Sequence, residues 1–536
     1  MKQLLLFFSG FCLLASAQAQ TSTQLFEEAA SNGRLANEGF KRCDRYVTGW
    51  LAQADSATGL IPRNLKESRD FWNAWDAAAD NYPFMVMTSA ILKPALFKGR
   101  MLDMLNTEKK MTARIGNLPD TYSFTRKAFR SEKVDTSQVL FGSAEYMKDG
   151  LIPLTEWLGK SPWSDRMLAI LDDLEKIVRL PIHLEGQFYG NSADVETAGD
   201  LLQVLSRMYW MTGNPSYLKR AVELGDYYLC DANLPTRSLQ RLRLRDHGCE
   251  IVAGLSEVYA AVHYANPAKK KQWQPYMHEM LDCVLAKGRN DDGLFYNEVN
   301  PVTGTILDKG IADTWGYTLN ALYTVYMLDS KPAYRDAVLK ALNALDTRYR
   351  NFDWEKGSSD GYADAIEGAL NLYAREPVPS VKPWLDSQVQ VMWGMQQPNG
   401  IIEGWHGDGN FARTTLMYSL WKTAGITATN WDEQVLYGAA SSKDNLFVSV
   451  TNTNTTPWTG TLKFGTQLHK DHLNLPVNYP RINQFQEWFA VDPKKTYILI
   501  NRTNTNKTTR ISGQALIDGY PVSLKGGEGL QLIIMP

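Results

Sequence analysis

The sequence predicts a mainly α-helical fold, an α/α toroid of six or seven helical hairpins over residues 20–428, followed by a small antiparallel β-sandwich at 429–536. Three observations predict it. Acidic and aromatic residues recur just ahead of, or at the start of, every second predicted helix, at intervals of roughly 45 to 115 residues, the length of one or two helical hairpins with their loops. Two kinds of helix alternate: amphipathic ones such as 330–349, and ones apolar nearly all round such as 313–328. An all-round apolar helix is buried on every side, so the alternation gives an inner ring inside an outer one. Near Trp431 the pattern changes to strand-like runs at 445–450, 496–500 and 530–535, with Thr/Asn-rich turns between them.

The stations themselves read Trp75-Asp76 with Asp80-Asn81-Tyr82, then Tyr189-Gly190-Asn191 with Asp194 and Glu196. Next come Arg245-Asp246-His247 with Glu250, Asp313-Thr314-Trp315-Gly316-Tyr317, Asp360-Gly361-Tyr362 with Asp364 and Glu367, and Trp405-His406-Gly407-Asp408. If all inner helices start at one rim, these residues meet there. Carboxylates and aromatic rings on one rim suit a carbohydrate: hydroxyls need acceptors, sugar faces stack on rings, and glycosidic cleavage takes two carboxyl groups.

The first 19 residues read as a cleavable leader. Lys2 gives the positive start, Leu4 to Leu14 the apolar run, and Ala17-Gln18-Ala19 the small-x-small cleavage site. Phe11 before Cys12 does not fit a lipid-attachment site. Export to the periplasm or beyond is expected. No later stretch approaches the ~20 apolar residues of a membrane span. A net charge of −2 gives no electrostatic case for nucleic acid. Cys43, Cys230, Cys249 and Cys283 lack Cys-x-x-Cys spacing and are expected as buried free thiols. The run Asn290-Asp291-Asp292-Gly293 lacks the alternating ligands of a calcium loop and reads as a turn.

Three constellations carry candidate chemistry. Asn191 to Asp200 opens an inner helix, where Ser192 or Asp194 can cap and Glu196 is left to face the cavity. In the run Arg241 to Glu250, a strand period of two puts Arg241, Arg243 and Arg245 on one face, either forked onto a sugar carboxylate or paired with surface acids. Glu250 then enters a helix made of Ile251, Val252, Ala253, Leu255 and Val258, as a general acid of raised proton affinity or as a buried acid satisfied by a cation. Asp360, Asp364 and Glu367 are spaced four and three apart, so they share a face and repel unless cations or hydroxyls lie opposite. The glycine-loosened run 403–413 offers Trp405 and His406 as contacts.

In layout, residues 25–425 resemble the six-hairpin glycosidase superfamily, whose toroids include β-glucuronidases and unsaturated-glucuronyl hydrolases. The stretch Val195-Glu196-Thr197-Ala198 is similar to one in zinc-dependent β-L-arabinofuranosidases, but Ala198 stands where the ligand cysteine would be, so that zinc is not expected here. The resemblance implies an exported glycoside hydrolase, expected to cleave at a uronic-acid residue of a plant or algal glycan. Glu250 is the expected acid and Glu196 its partner, acting with inversion. Arg245, His247, Asp194, Asn191, Tyr189, Asp80, Asp313, Trp315, Asp364, Glu367, Trp405 and His406 are the expected substrate contacts. No metal or cofactor is expected. A polysaccharide lyase, with His247 or Tyr189 as base, and a non-catalytic glycan-binding toroid are the alternatives.

Overall fold

The computed structural model describes residues 20–184, 191–503 and 506–536. Residues 1–19, expected as a leader, and Tyr189 lie outside the described residues, as do the side chains of Asn191, Ser192 and His247. Among the described residues, seven inner helices form a ring. The first is Tyr82–Leu92 with its lead-in Ala74–Asn81. The second runs Thr136–Glu145, Tyr146–Leu151 and Ile152–Leu158, and the third is Asn191–Thr212. The fourth to seventh are Glu250–Ala265, Trp315–Asp329, Ser359–Tyr373 and Asn410–Lys422. Each packs on the next, and the seventh packs back on the first. Seven outer helices alternate with them: Ser22–Leu51, Leu102–Thr112, Pro162–Ile177, Pro215–Tyr228, Pro267–Lys287, Pro332–Arg348 and Val381–Gly394.

The two kinds of helix bury as their sequences require. Every residue from Glu250 to Val262 of the fourth inner helix is buried. The outer helix Pro332–Arg348 buries a single stripe, Tyr334, Ala337, Val338, Ala341, Leu342 and Leu345, at spacings of three and four. Four outer helices begin with proline, whose missing N–H is unneeded at a helix start. They follow their inner partners after only one to three residues. At the other rim, where inner helices begin, connections run from ten residues (349–358) to twenty-seven (288–314). The long connections hold short hairpins such as Tyr296–Val299 with Ile306–Ile311. The predicted turn at Asn290 is one, since the Asn290 Oδ1 accepts the N–H groups of Asp292, Gly293 and Leu294. All the room for a site is on this rim.

Glycine pairs let neighbouring inner helices cross closely. A Cβ on Gly199 would lie 2.3 Å from the Glu250 carbonyl carbon, and one on Gly316 would lie 2.4 Å from the Gly368 Cα. These obstacles are backbone and cannot swing away. Gly199→Ala is therefore expected to cost about 1–3 kcal/mol by overpacking, read as a lower urea midpoint with an unchanged helical signal. An unchanged midpoint would mean that the third and fourth inner helices are free to separate.

The C-terminal strands form two antiparallel sheets. One has the order Val435–Ser442, Asn445–Asn452, Gly529–Met535, Thr496–Asn501, Lys507–Ser512, and the other Tyr520–Leu524, Trp458–Lys463, Thr427–Ala428. The strand Asn445–Asn452, second in the larger sheet, is buried on both faces along most of its length. The larger sheet covers the first helix, with Leu25, Phe26 and Ala29 against Ala440, Phe447 and Ile533. From the same domain, the segment around 479–483 reaches into the ring from its far end. Tyr479 donates to Glu257 on the fourth inner helix, Arg481 pairs with Glu156 on the second, and Asn371 of the sixth donates to the Arg481 carbonyl. At its tip, Ile482 packs on Cys249, Ala253 and Tyr317.

Among the described residues no helix is long and apolar enough to cross a membrane. The four cysteines among the described residues are free; Cys43 and Cys249 are buried, but Cys230, just past the outer helix Pro215–Tyr228, and Cys283, on the outer helix Pro267–Lys287 but not among its buried residues, are only half-buried.

Candidate functional site

The sixth inner helix places Asp360, Asp364 and Glu367 on one face, and the opposing groups that such a face requires come from the fifth and seventh inner helices. Arg413, one turn into the seventh inner helix, lies 2.6 Å from Asp364 and 2.9 Å from Glu367. The Tyr317 hydroxyl lies 2.9 Å from Asp364 and 2.7 Å from Glu367. With one proton it donates to one of them at a time. Asn410 donates to Asp360 at 2.7 Å. Burial raises the proton affinity of Asp364 and Glu367, and Arg413 pulls both back. Asp360 is held well above the usual carboxylate range by burial and by Asp364 and Asp408, against the pull of His406.

Asp313 stands just before the fifth inner helix, beside this cluster. Its Oδ1 accepts the Thr314 N–H at 3.0 Å, and the Arg245 Nε is 4.0 Å away. Burial pushes its proton affinity well up, and Asp364, Glu355 and Asp246 add to the rise. Arg245 itself is hydrogen-bonded to Glu355. The predicted guanidinium face does not form: Arg241 pairs with Glu298, Arg243 with Asp246 and Arg245 with Glu355. The strand ends at Arg243, so its alternation does not carry on to Arg245.

The first inner helix begins with π-helical turns, a widened geometry frequent at functional sites, and these carry Asp76 and Asp80. His406 faces both, its Nε2 4.0 Å from Asp76 and 3.8 Å from Asp80. Burial opposes a charge on His406, but Asp76, Asp80 and Asp360 outweigh it and raise the imidazole to about 10. Among the described residues, Asp76, Asp80 and His406 form the one group placed to hold a metal ion. Arg63 and Asn73 already occupy the Asp76 Oδ2, so the acids here are met by cationic side chains. Next to them Trp405 is 74% exposed, with the Arg63 guanidinium 5.3 Å from its ring centre.

Glu250 sits deeper, 3% exposed, and both of its oxygens are engaged. Lys148 lies 2.5 Å from one and Gln203 donates to the other at 2.6 Å. Burial pushes Glu250 up to about 7 against the pull of Lys148. Lys148 also reaches Asp149 at 2.8 Å. Burial disfavours its charge, but Asp149 and Glu250 together hold the ammonium well above its ordinary value. Glu145 and Asp200 are buried beside it; burial raises both well above the usual carboxylate range, with Asp200 adding to the rise at Glu145 and Glu250 to that at Asp200. Glu196 is buried next to this group. Asp194 accepts the Leu184 N–H at 2.7 Å.

Acids expected on the rim lie beside cationic side chains. Asp80 is joined to His406, Asp364 and Glu367 to Arg413, Asp313 to Arg245, and Glu250 to Lys148. Trp315 does not belong with them. It has no exposed surface, because as the first residue of the fifth inner helix it packs into the main hydrophobic core. Sequence reasoning passed over Lys148, Asp149 and Gln203, although a Lys-Asp pair inside the apolar run 139–154 is a readable signal. Glu355 and Asn483 had none.

No protein-family model and no curated protein matches this chain. Solved structures with partial similarity include the α-1,6-mannanase of Salegentibacter sp. HEL1_6, with a TM-score of 0.40 and 10% identity, covering 71% of this chain and 98% of that one. A family 76 glycoside hydrolase (mannosidase) from Bacteroides thetaiotaomicron gives 0.38 and 11%, over 72% and 98%. The cellobiose 2-epimerase of Bacillus thermoamylovorans gives 0.38 and 12%, over 52% and 87%. The chemistry is therefore read from the side chains themselves.

Proposed function

We propose that the protein is a glycoside hydrolase whose site is the rim where the inner helices begin, with Asp313 as general acid and Asp364 as general base. The observation that carries this reading is the contrast between the two carboxyls. Burial raises both, but Asp313 has only a backbone N–H and a distant guanidinium for company, whereas Arg413 and the Tyr317 hydroxyl pull Asp364 towards its charged form. Environments that push two acids apart define acid and base. The Asp313 proton passes to the glycosidic oxygen as the bond to the anomeric carbon breaks. Water, losing its proton to Asp364, adds to that carbon with inversion. Glu250, enclosed by Lys148 and Gln203, serves as a brace behind the site, and Glu196 lies with it.

The substrate is read as a neutral glycan. Arg245 is committed to Glu355, Arg413 to Asp364 and Glu367, and Lys148 to Glu250 and Asp149, so no cation among these is left over for a uronate. The leader at 1–19 supports export. Product profiling against neutral and uronic-acid oligosaccharides tests the whole reading, with reducing sugar released from the neutral set as the expected result. Preferential cleavage of uronides would restore the carboxylate-binding role of Arg245. An ultraviolet-absorbing unsaturated product would make the protein a lyase.

Trp405 supplies the stacking surface. Trp405→Ala is expected to weaken glycan binding by about 1–2 kcal/mol, seen as a roughly tenfold higher Kd in calorimetry with the fold intact. An unchanged Kd would remove Trp405 from the site.

A further inference from the structure

We propose that Asn483, supplied by the β-domain, is a positioning residue of the site, locking the Arg413 guanidinium onto Asp364 from below; this rests on the reading of Asp364 as the base. The segment that carries it stoppers the far end of the ring and is anchored to the second, fourth and sixth inner helices through Arg481, Tyr479 and the Arg481 carbonyl. Its tip therefore cannot drift without breaking buried bonds.

Asn483 is 2% exposed and every polar group it carries toward the ring is used. Its N–H donates to Glu367 at 2.6 Å, its Oδ1 accepts from Arg413 Nη1 at 2.9 Å, and its Nδ2 donates to Asp149 Oδ1 at 2.9 Å. Only one amide orientation satisfies both neighbours, because a guanidinium only donates and a carboxylate accepts. The Asn410 Oδ1 holds the same Nη1 at 2.8 Å. Two amide oxygens thus fix one corner of the guanidinium while its Nη2 grips Asp364 and Glu367. Asp364 is aimed by Arg413, and Arg413 by Asn483. The backbone of Asn483 is left-handed, with φ 59°, a conformation that Asn, Asp and Gly adopt most readily. Asn483→Gly therefore keeps the backbone and its bond to Glu367 while removing the amide. Asn483→Asp keeps the shape and turns the donor facing Asp149 into a second acceptor.

The test uses the full-length chain. With the glycan that the wild type cleaves, Asn483→Gly is expected to lower kcat roughly 10- to 100-fold with KM changed less than about twofold, since the sugar subsites above are untouched. Asn483→Asp should move the acid limb of the pH–rate profile upward, because a second carboxylate competes for Arg413 and weakens its hold on Asp364. A merely structural residue would lower the thermal midpoint and leave both readouts alone. Unchanged kcat and an unchanged acid limb in two folded variants would overturn the proposal. If the wild type cleaves no glycan, the hydrolase reading falls by itself, and the thermal midpoint then reads the geometry without activity. The deficit of Asn483→Asp against wild type should widen from pH 5 to pH 8 as the added carboxylate ionises beside Asp149, while that of Asn483→Gly should stay level. A level deficit in both would overturn the contact with Asp149.

Discussion

Asp313→Asn is expected to lower kcat by roughly 10²–10⁴-fold, the usual contribution of a positioned general acid, with KM and the folded signal little changed. The amide keeps the shape and the Thr314 N–H contact, so what is lost is the proton. At about 4 kcal/mol for a thousandfold, this is among the largest single effects the site can show. The basic limb of the pH–rate profile should vanish with it. Burial, reinforced by Asp364, Glu355 and Asp246, keeps Asp313 protonated above the usual carboxylate range, and in the wild type its loss of that proton ends activity as pH rises. Asp364→Asn should remove the acid limb instead. A wild-type rate in Asp313→Asn would move the acid elsewhere on the rim, with Asp360 next in line because it is also held protonated.

Lys148→Met is expected to destabilise the fold by about 3–5 kcal/mol, the cost of stripping one partner from a buried ion pair. Lys148 and Glu250 are 5% and 3% exposed, and Asp149 leans on the same ammonium. The loss should depend on pH. Glu250 is raised from its ordinary 4.5 to about 7 in the folded chain. A carboxyl raised on folding takes up a proton, so the stability it contributes is complete below about pH 4.5 and is lost as pH rises through about 7. Removing the cation that restrains this rise enlarges the loss, and urea unfolding should show a bigger deficit at pH 8 than at pH 5. Equal deficits at both pH values would mean that Glu250 does not titrate in this range.

The ring was legible because burial on all sides and burial on one side leave different periodicities, and the chain alternates them seven times among the described residues. The triad Asp360, Asp364 and Glu367 was legible for the same reason, since the spacing of acids along one helix fixes their common face. Their cation was not, because Arg413 lies on another helix and only ring closure brings it opposite. Glu250 was correctly expected in an apolar helix with raised proton affinity, but the choice between acid and satisfied anion turned on Lys148, about a hundred residues upstream. Of the two readings of the arginine triplet, pairing with acids is the one found, although the strand itself stops at Arg243. Trp315 misled because proximity to Asp313 in sequence is not proximity in direction. Asn483 left no trace at all, since a loop residue in a domain poor in placed acids acquires its role only from where the tip arrives.

The first helix is held by the last third of the chain. Asn32 donates to the Ala439 carbonyl and Asn37 to the Glu433 carbonyl, across separations of 407 and 396 residues. During synthesis at roughly 5–20 residues per second, about 20 to 80 seconds pass before those acceptors exist. Through that interval the apolar stripe of Leu25, Phe26 and Ala29 has no sheet to cover it. The nascent chain is thus a natural client for a holding chaperone, and ring closure is a late, long-range event in folding.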